Sequence, residues 1–343
     1  VVGSLMLWSV GTVLSGATTG LIGLVLFRSI ATGGGEAFYF PSANSLIAQY
    51  HKKTRALAMS IHQTALYVGI IASGFVAGWL GEKFGWRAAF FLFGGIGVVL
   101  ALIMCWRLKD DRHEEDTAKA RAIQRVPLRE LLKAIATKPT VWALSLAFCC
   151  FYFAQIGYIT WMPTYLSEKF NLSLKNAGFS SMFYHHVAAA VGVLLGGRVA
   201  DMLAQRRRTV RIEVEMFGLF FGAPFIYFMG STGSFWTCCL CLAGFGLFRG
   251  VYDSNLYAAL FDVIEPRYRS SAVGLMLAVV FFFSAFAPVV LGWAKVKIGL
   301  SAALSMLSLA YVIGGLILLF ARNRTFMRDY YDESAAPAPA TGA

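Results

Sequence analysis

Ten stretches of this chain run almost continuously apolar. Each approaches or exceeds the ~20 residues an α-helix needs to cross a hydrocarbon core about 30 Å thick. They fall at roughly 1–18, 20–49, 55–80, 86–106, 140–164, 177–203, 212–230, 235–263, 270–294 and 300–321. In hydrocarbon every backbone N–H and C=O must be satisfied inside the protein, so only helices and closed barrels can span. Barrel strands alternate apolar and polar residues, whereas these runs do not alternate, so an all-α membrane protein is predicted. Several runs exceed 25 residues, which implies tilt or a turn beyond the bilayer. Composition agrees: of 343 residues, 58% are hydrophobic and 14% charged, where a soluble domain carries about a quarter charged.

The net charge of +12 would suggest a nucleic acid or an anionic surface in a soluble protein. Its placement says otherwise. Grouping alternate loops puts 21 Lys and Arg on one side and six on the other, with Arg28, Arg198 and Arg249 within or at the ends of spans. Such a split is a positive-inside signal. It places the 107–139 loop and the C-terminus in the cytoplasm and leaves no role for nucleic acid. That loop starts with the mixed cluster KDDRHEED and continues with Val126, Leu128, Leu131, Leu132 and Ile135 at helical spacing, which predicts an amphipathic helix at the cytoplasmic surface. The Pro-rich end, ESAAPAPATGA, predicts a disordered tail.

Six cysteines, Cys105, Cys149, Cys150, Cys238, Cys239 and Cys241, all lie in apolar runs without metal-ligand or disulfide-framework spacing. They read as small apolar fillers. No metal, no cofactor and no enzymatic activity are expected: metal cluster, nucleophile elbow and phosphate loop are all missing from the sequence.

The chain repeats itself weakly. Leu26-Phe27-Arg28 followed by Thr54-Arg55-Ala56 has a counterpart in Leu247-Phe248-Arg249 followed by Tyr268-Arg269-Ser270. Gly85-Trp86-Arg87-Ala88-Ala89 pairs with Gly299-Leu300-Ser301-Ala302-Ala303. Weak symmetry between halves is a mark of many transporter folds. The second half has six spans and the first four, so two further helices are expected before Val1, making ten of an expected twelve. The expected organisation is an N-terminal bundle over 1–107, holding the last four of six helices; a cytoplasmic linker over 108–139; a C-terminal six-helix bundle over 140–322; and a tail over 323–343.

Gly197-Arg198-Val199-Ala200-Asp201, with Arg206-Arg207-Arg208 after it, resembles the G-x-x-x-D…(R/K)-(R/K) loop of the major facilitator superfamily. Three further features resemble its anion:cation symporters, which include hexuronate and aldonate carriers: Arg28…Gly35-Glu36-Ala37…Pro41, Leu128-Arg129-Glu130-Leu131-Leu132 before Trp142, and Trp161-Met162-Pro163-Thr164-Tyr165-Leu166. The resemblance covers nearly the whole chain. It implies a two-bundle fold working by alternating access, with a site near the midplane between halves. The family places the Arg and Glu seven residues apart; here the separation is eight, which turns Glu36 by about 80° from Arg28 on a regular helix. Gly33, Gly34 and Gly35 would permit a π-bulge that absorbs the extra residue.

A charge inside a membrane helix is costly and faces a partner or a water-filled path. Four such groups stand out: Arg28, Glu36, Arg249 and Asp253. Arg28 either binds a substrate carboxylate through its planar fork or snorkels outward as part of a gate. Glu36 is either a proton carrier whose affinity follows burial and a nearby Arg or half of a structural ion pair. Arg249 and Asp253 lie one turn apart on one face, and aligning the halves sets Arg249 against either Glu36 or Arg28. His62, Gln63 and Tyr67 could hydrogen-bond sugar hydroxyls or a neighbouring helix. Tyr158, Trp161 and Asn255 are cavity candidates, Trp161 equally an interface anchor. His185 and His186 are adjacent, so at most one is expected to face a cavity. Arg198, Asp201, Arg206, Arg207 and Arg208 are expected to act as a conformational latch.

The expected protein is a monomeric multi-pass transporter of the bacterial inner membrane. It takes up a small organic anion, a sugar acid of hexuronate or aldonate type, by symport with a proton or sodium. Arg28, Arg249, His62, Gln63, Tyr67, Tyr158 and Asn255 bind the substrate, and Glu36 and Asp253 couple it. The alternative is a lipid-like or drug exporter of the same superfamily. A membrane enzyme finds no support, and a sensor would need a soluble domain that this chain does not show.

Overall fold

An unpaired peptide group in hydrocarbon is costly, and each apolar run answers by folding as a helix. The computed structural model describes residues 1–50, 55–107 and 128–331. Its helices are α1 (Val2–Ala17), α2 (Leu21–Ser29), a π-helix (Ile30–Glu36), α3 (Ala37–Tyr50), α4 (Arg55–Phe84), α5 (Trp86–Arg107) and α6 (Leu128–Ala136). There follow α7 (Pro139–Phe170), α8 (Leu174–Ala204), α9 (Val210–Ser231), α10 (Phe235–Asp253), α11 (Leu256–Phe261), α12 (Arg269–Ser284), α13 (Ala287–Ile298), α14 (Leu300–Arg324) and α15 (Phe326–Asp329). No strand occurs among the described residues. Eight segments are long and apolar enough to cross a membrane, with α10–α11 and most of α12–α13 each counting as one. The shorter apolar helix α1 and the run from α2 to α3 bring the segments to ten, one on each apolar run of the sequence.

Two runs expected to be continuous are interrupted. Ser254 and Asn255 separate α10 from α11, and Ala285 and Phe286 separate α12 from α13. Pro288 explains the second break: it sits in the first turn of α13, where its missing N–H costs no helix bond. Between α2 and α3 the expected wide turn is present, as a π-helix from Ile30 to Glu36. A second constraint acts on the same glycines. A Cβ on Gly35 would lie 2.7 Å from the Cα of Trp8, and one on Gly11 would lie 2.9 Å from the Cβ of Ala31. The glycines thus both widen the turn and let α1 approach its backbone.

The helices group into two compact units, one of Val1–Ala122 with Leu166–Met182, the other of Ile123–Tyr165 with Phe183–Ala343. Membrane helices gain little from apolar contact alone, so close approach at small residues carries the packing. In the first unit α1 turns Ser9, Gly11, Ser15 and Gly16 inward. Cβ atoms on Gly94 and Gly16 would lie 2.8 Å from the Val13 nitrogen and 2.9 Å from the Phe90 Cβ, which seats α5 on α1. Farther along, Gly74 and Gly78 of α4 abut Gly178 and Leu174 of α8, a Cβ on either coming within 2.6 Å of a carbonyl oxygen. Glu82 then accepts from the Lys175 N–H at 2.9 Å.

In the second unit two reciprocal pairs of glycines, each four residues apart, join α8 to α10. Cβ atoms on Gly246 and Gly250 would run into the carbonyls of His185 and Ala189, and those on Gly192 and Gly196 into Leu247 and Ser254. The start of α9 carries an ion-pair network with the ends of α11 and α14. Arg211 meets Asp262 at 2.6 Å, while Glu213 takes Arg207 and Arg322, both at 2.8 Å. Burial pushes the Asp262 carboxyl up, and the adjoining Arg211 guanidinium pulls it back down. The α6 helix, expected at the membrane surface, makes a separate polar contact: Glu130 accepts from the Tyr268 hydroxyl at 2.7 Å and pairs with Arg267 at 3.3 Å. The charge cluster falls within 108–127, outside the described residues; of the disordered tail expected over 323–343, residues 323–331 instead end α14 and form α15, with Phe326 and Asp329 buried, and 332–343 lie outside the described residues.

The start of α7 is capped from far away in sequence. Asp329 accepts from the Thr140 N–H at 2.9 Å, and Lys138 donates to the carbonyls of Val263 and Asp329. A carboxylate at a helix N-terminus satisfies an orphan donor and meets the positive end of the helix dipole. Asp329→Ala is expected to cost about 1–2 kcal/mol, read as a lowered Tm of the purified protein. Asp329→Asn should recover most of it, and an unchanged Tm for the alanine variant would deny the cap its role.

Candidate functional site

The first unit brings three of its polar and aromatic residues near one another. Trp8 of α1 meets Tyr39 of α3 edge-on with ring centroids 6.1 Å apart, and Tyr39 lies 6.4 Å from His62 of α4. His62 and Tyr67 are half-buried. Arg28 is exposed on α2, one residue before the end of that helix, with its guanidinium 5.8 Å from the centre of the Phe90 ring. The side chains of Glu36 and Gln63 lie outside the described residues. Sequence reasoning missed Trp8 and Tyr39, since an aromatic residue in an apolar run gives no sign of which helix it faces.

The second unit holds a denser cluster. Arg249 lies one turn from the end of α10, with Nε 3.2 Å from Asp253 Oδ2 and Nη1 3.3 Å from Nε2 of His185 on α8. The pair is partly buried, at 15% and 25% side-chain exposure. His185 is fully buried and His186 nearly so; the expectation that at most one would turn inward does not extend to burial. Their rings lie 5.1 Å apart, and it is His185 that faces Arg249. Tyr158 of α7 packs on His185 at 4.6 Å and on Phe245 at 5.3 Å. The glycine contacts between α8 and α10 set these distances, because Gly246 meets the backbone of His185 itself.

The remaining candidates are placed elsewhere. Asn255 is buried at the break between α10 and α11 and donates to the Ser254 hydroxyl at 2.8 Å. Trp161 donates its indole N–H to the Pro288 carbonyl at 3.0 Å, with the Lys295 ammonium 5.4 Å from its ring. Among the latch residues, Arg198, Asp201 and Arg206 are exposed; Arg207 pairs with Glu213 and Arg208 lies over the Tyr330 ring at 5.0 Å.

The donors of the second cluster could receive an anion. A guanidinium presents five donors in a rigid fork. The described contacts engage Nε and Nη1 of Arg249, and no described residue engages Nη2.

Comparison with known proteins places this arrangement. The family model for the Major Facilitator Superfamily matches residues 1–247. The chain belongs to that superfamily, a family of membrane transporters. It is 27% identical over 289 residues to a sodium-dependent phosphate transport protein of Arabidopsis thaliana chloroplasts, covering 78% of this chain and 55% of that one. It is 28% identical over 218 residues to a D-galactonate transporter of Escherichia coli, covering 58% and 50%. The chain thus spans about half the length of these curated relatives. Among solved structures it is similar to a bacterial homologue of the human lysosomal transporter Spinster in an inward-facing, unoccupied conformation, with a TM-score of 0.79 at 21% identity, covering 97% of this chain and 84% of that one. That likeness concerns the fold.

Proposed function

We propose that this protein takes up a small organic anion of the sugar-acid class, by symport with a proton, with sodium as the rival coupling ion. The observation that carries the reading is Arg249, held inside a transmembrane bundle with part of its fork uncommitted. A carboxylate matches that fork with two parallel hydrogen bonds. Tyr158 and His185, both fully buried, pack behind Arg249 and hold it in place. The galactonate and phosphate transporters among its relatives are anion carriers and favour the same class. Arg28, His62, Gln63, Tyr67 and Asn255 are the further substrate contacts of this reading, and Glu36 carries the proton, with Asp253 released from Arg249 when the anion arrives. Arg198, Asp201 and Arg206 to Arg208 act as the latch. The Arg-rich face is cytoplasmic, the C-terminus lies on it, and the membrane is a bacterial inner membrane.

The test is counterflow of labelled galactonate, glucuronate and gluconate in proteoliposomes at several pH values, with and without sodium, for wild type and Glu36→Gln. Exchange is expected in both, with acid-driven uptake only in wild type. Wild type that exchanges none of the three acids would overturn the sugar-acid reading in favour of lipid or drug export. Uptake that follows sodium and ignores pH would overturn the proton.

A further inference from the structure

The interior of the second unit holds a carboxyl group that the proposed cycle does not use. Glu215 is the sixth residue of α9 and is fully buried, and neither carboxyl oxygen has a hydrogen-bond partner among the described residues. Against α9 pack α10, α14 and α11. The charged and titratable groups on these elements are Cys238, Cys239, Cys241, Arg249, Tyr252 and Asp253 of α10, Tyr311, Arg322 and Arg324 of α14, and Tyr257 with the following Asp262 of α11. The helix itself adds Arg211 and Glu213. Three of the four arginines are taken, Arg249 by Asp253, Arg211 by Asp262 and Arg322 by Glu213, and the fourth, Arg324, is exposed at the end of α14. Glu215 is the acid left over. An ionised carboxylate without a counter-charge in such a place is so unfavourable that the group takes up a proton instead.

Two tyrosines pack beside this carboxyl. Tyr252 and Tyr311 are fully buried, and their hydroxyls also lack a hydrogen-bond partner among the described residues. Both stack on Phe151 of α7, at 4.2 and 5.8 Å. Glu215 shares a face of α9 with Gly218 and Gly222, three and seven residues on, and Tyr252 precedes Asp253 in the chain. Gly218 and Gly222 bring α9 close to both tyrosines: Cβ atoms there would lie 3.0 Å from the Tyr252 nitrogen and 2.9 Å from the Tyr311 ring.

We propose that Glu215 is a proton-binding site of the second unit, packed beside Tyr252 and Tyr311 and coupled through space to the Arg249–Asp253 pair. Proton binding at the site stands on the geometry alone; its coupling to transport rests on the sugar-acid reading above. An anion that takes Arg249 leaves the Asp253 carboxylate unneutralised beside Tyr252. That negative charge favours the protonated form of Glu215, so anion and proton strengthen each other's binding, as linkage requires.

Infrared spectroscopy of the protein in lipid, without substrate, tests the site directly. A buried protonated carboxyl gives a carbonyl-stretch band above that of the ionised form. Glu215→Gln should remove one such band, while Glu36→Gln leaves it. Tyr252→Phe keeps the carboxyl and should shift the band, which provides a readout should Glu215→Gln fold poorly. A carbonyl-stretch region unchanged by Glu215→Gln and Tyr252→Phe alike overturns the proposal, as does a band that appears only when sodium is withheld, which would make the site a cation site. In proteoliposomes Glu215→Gln should keep exchange and lose part of the acid stimulation; an unchanged pH profile overturns the coupling. Failure of wild type to carry any sugar acid would sink the substrate reading without touching the infrared result.

Discussion

A leucine at position 250 is expected to force α8 and α10 apart and leave little folded protein. A Cβ there would run into the carbonyl oxygen of Ala189 and lie 2.7 Å from the nitrogen of Val193. Both are backbone atoms of a membrane helix, and neither can rotate aside as a side chain would. Overpacking against adaptable side chains costs about 1–3 kcal/mol; against a rigid backbone at this distance the loss should lie at or beyond the upper end. It should appear as a Tm lowered by many degrees and as aggregated material on size exclusion. Gly274→Leu on α12 is the control, because a Cβ at that glycine meets nothing within 4 Å. Equal melting of the two variants would mean that the α8–α10 contact is looser than described. The same contact holds His185 against Arg249, so milder variants such as Gly250→Ala should lose transport before they lose stability.

Arg249→Ala should abolish uptake and also destabilise the protein, and the two effects can be separated. Removing one partner of a fully buried pair costs about 3–5 kcal/mol. Asp253 retains 25% side-chain exposure, so a loss nearer 1–3 kcal/mol is expected after allowance for solvent. Neutralising the orphan in Arg249→Ala/Asp253→Asn should return most of the Tm and none of the uptake. Arg249→Lys keeps the charge and loses the planar fork, so it should fold well and bind the anion about tenfold or more weakly, a difference of roughly 1.4 kcal/mol. A double variant that transports again would reduce Arg249 to a structural counter-ion. Labelled-anion binding and Tm measured on the same preparations decide between these outcomes.

The spans could be read from sequence because hydrocarbon imposes a length and an apolarity that few other environments demand. Arg28, Arg249 and Asp253 showed themselves for the same reason, as charges inside apolar runs. Glu215 did not. It follows Arg211 and Glu213 at the Arg-rich end of its span, where a carboxylate reads as solvated, and only the turn of α9 toward Tyr252 buries it. Tyr252 and Tyr311 were equally silent, since a tyrosine in an apolar run says nothing about what its hydroxyl meets. The glycine pairs at 192 and 196 and at 246 and 250 are visible as a spacing, but that spacing does not name the partner helix. The break after Asp253 lies in the polar run Asp253-Ser254-Asn255, which reads as site residues rather than as a helix end; that after Ser284 falls where hydropathy is unchanged, with Pro288 as the available signal.

The π-helix has a consequence for how this chain is compared with its relatives. A π turn holds one residue more than the α ladder needs, so an insertion can be absorbed between Ile30 and Glu36 while the helix ends keep their places. The resemblance sets the arginine and the glutamate seven residues apart, and in this chain they are eight apart. The gap in a residue-by-residue comparison therefore belongs inside a transmembrane helix, where alignment conventions rarely open one. Placed instead in the following loop, it would displace every residue of α3 by one position, a turn of about 100°, and would give each the wrong counterpart.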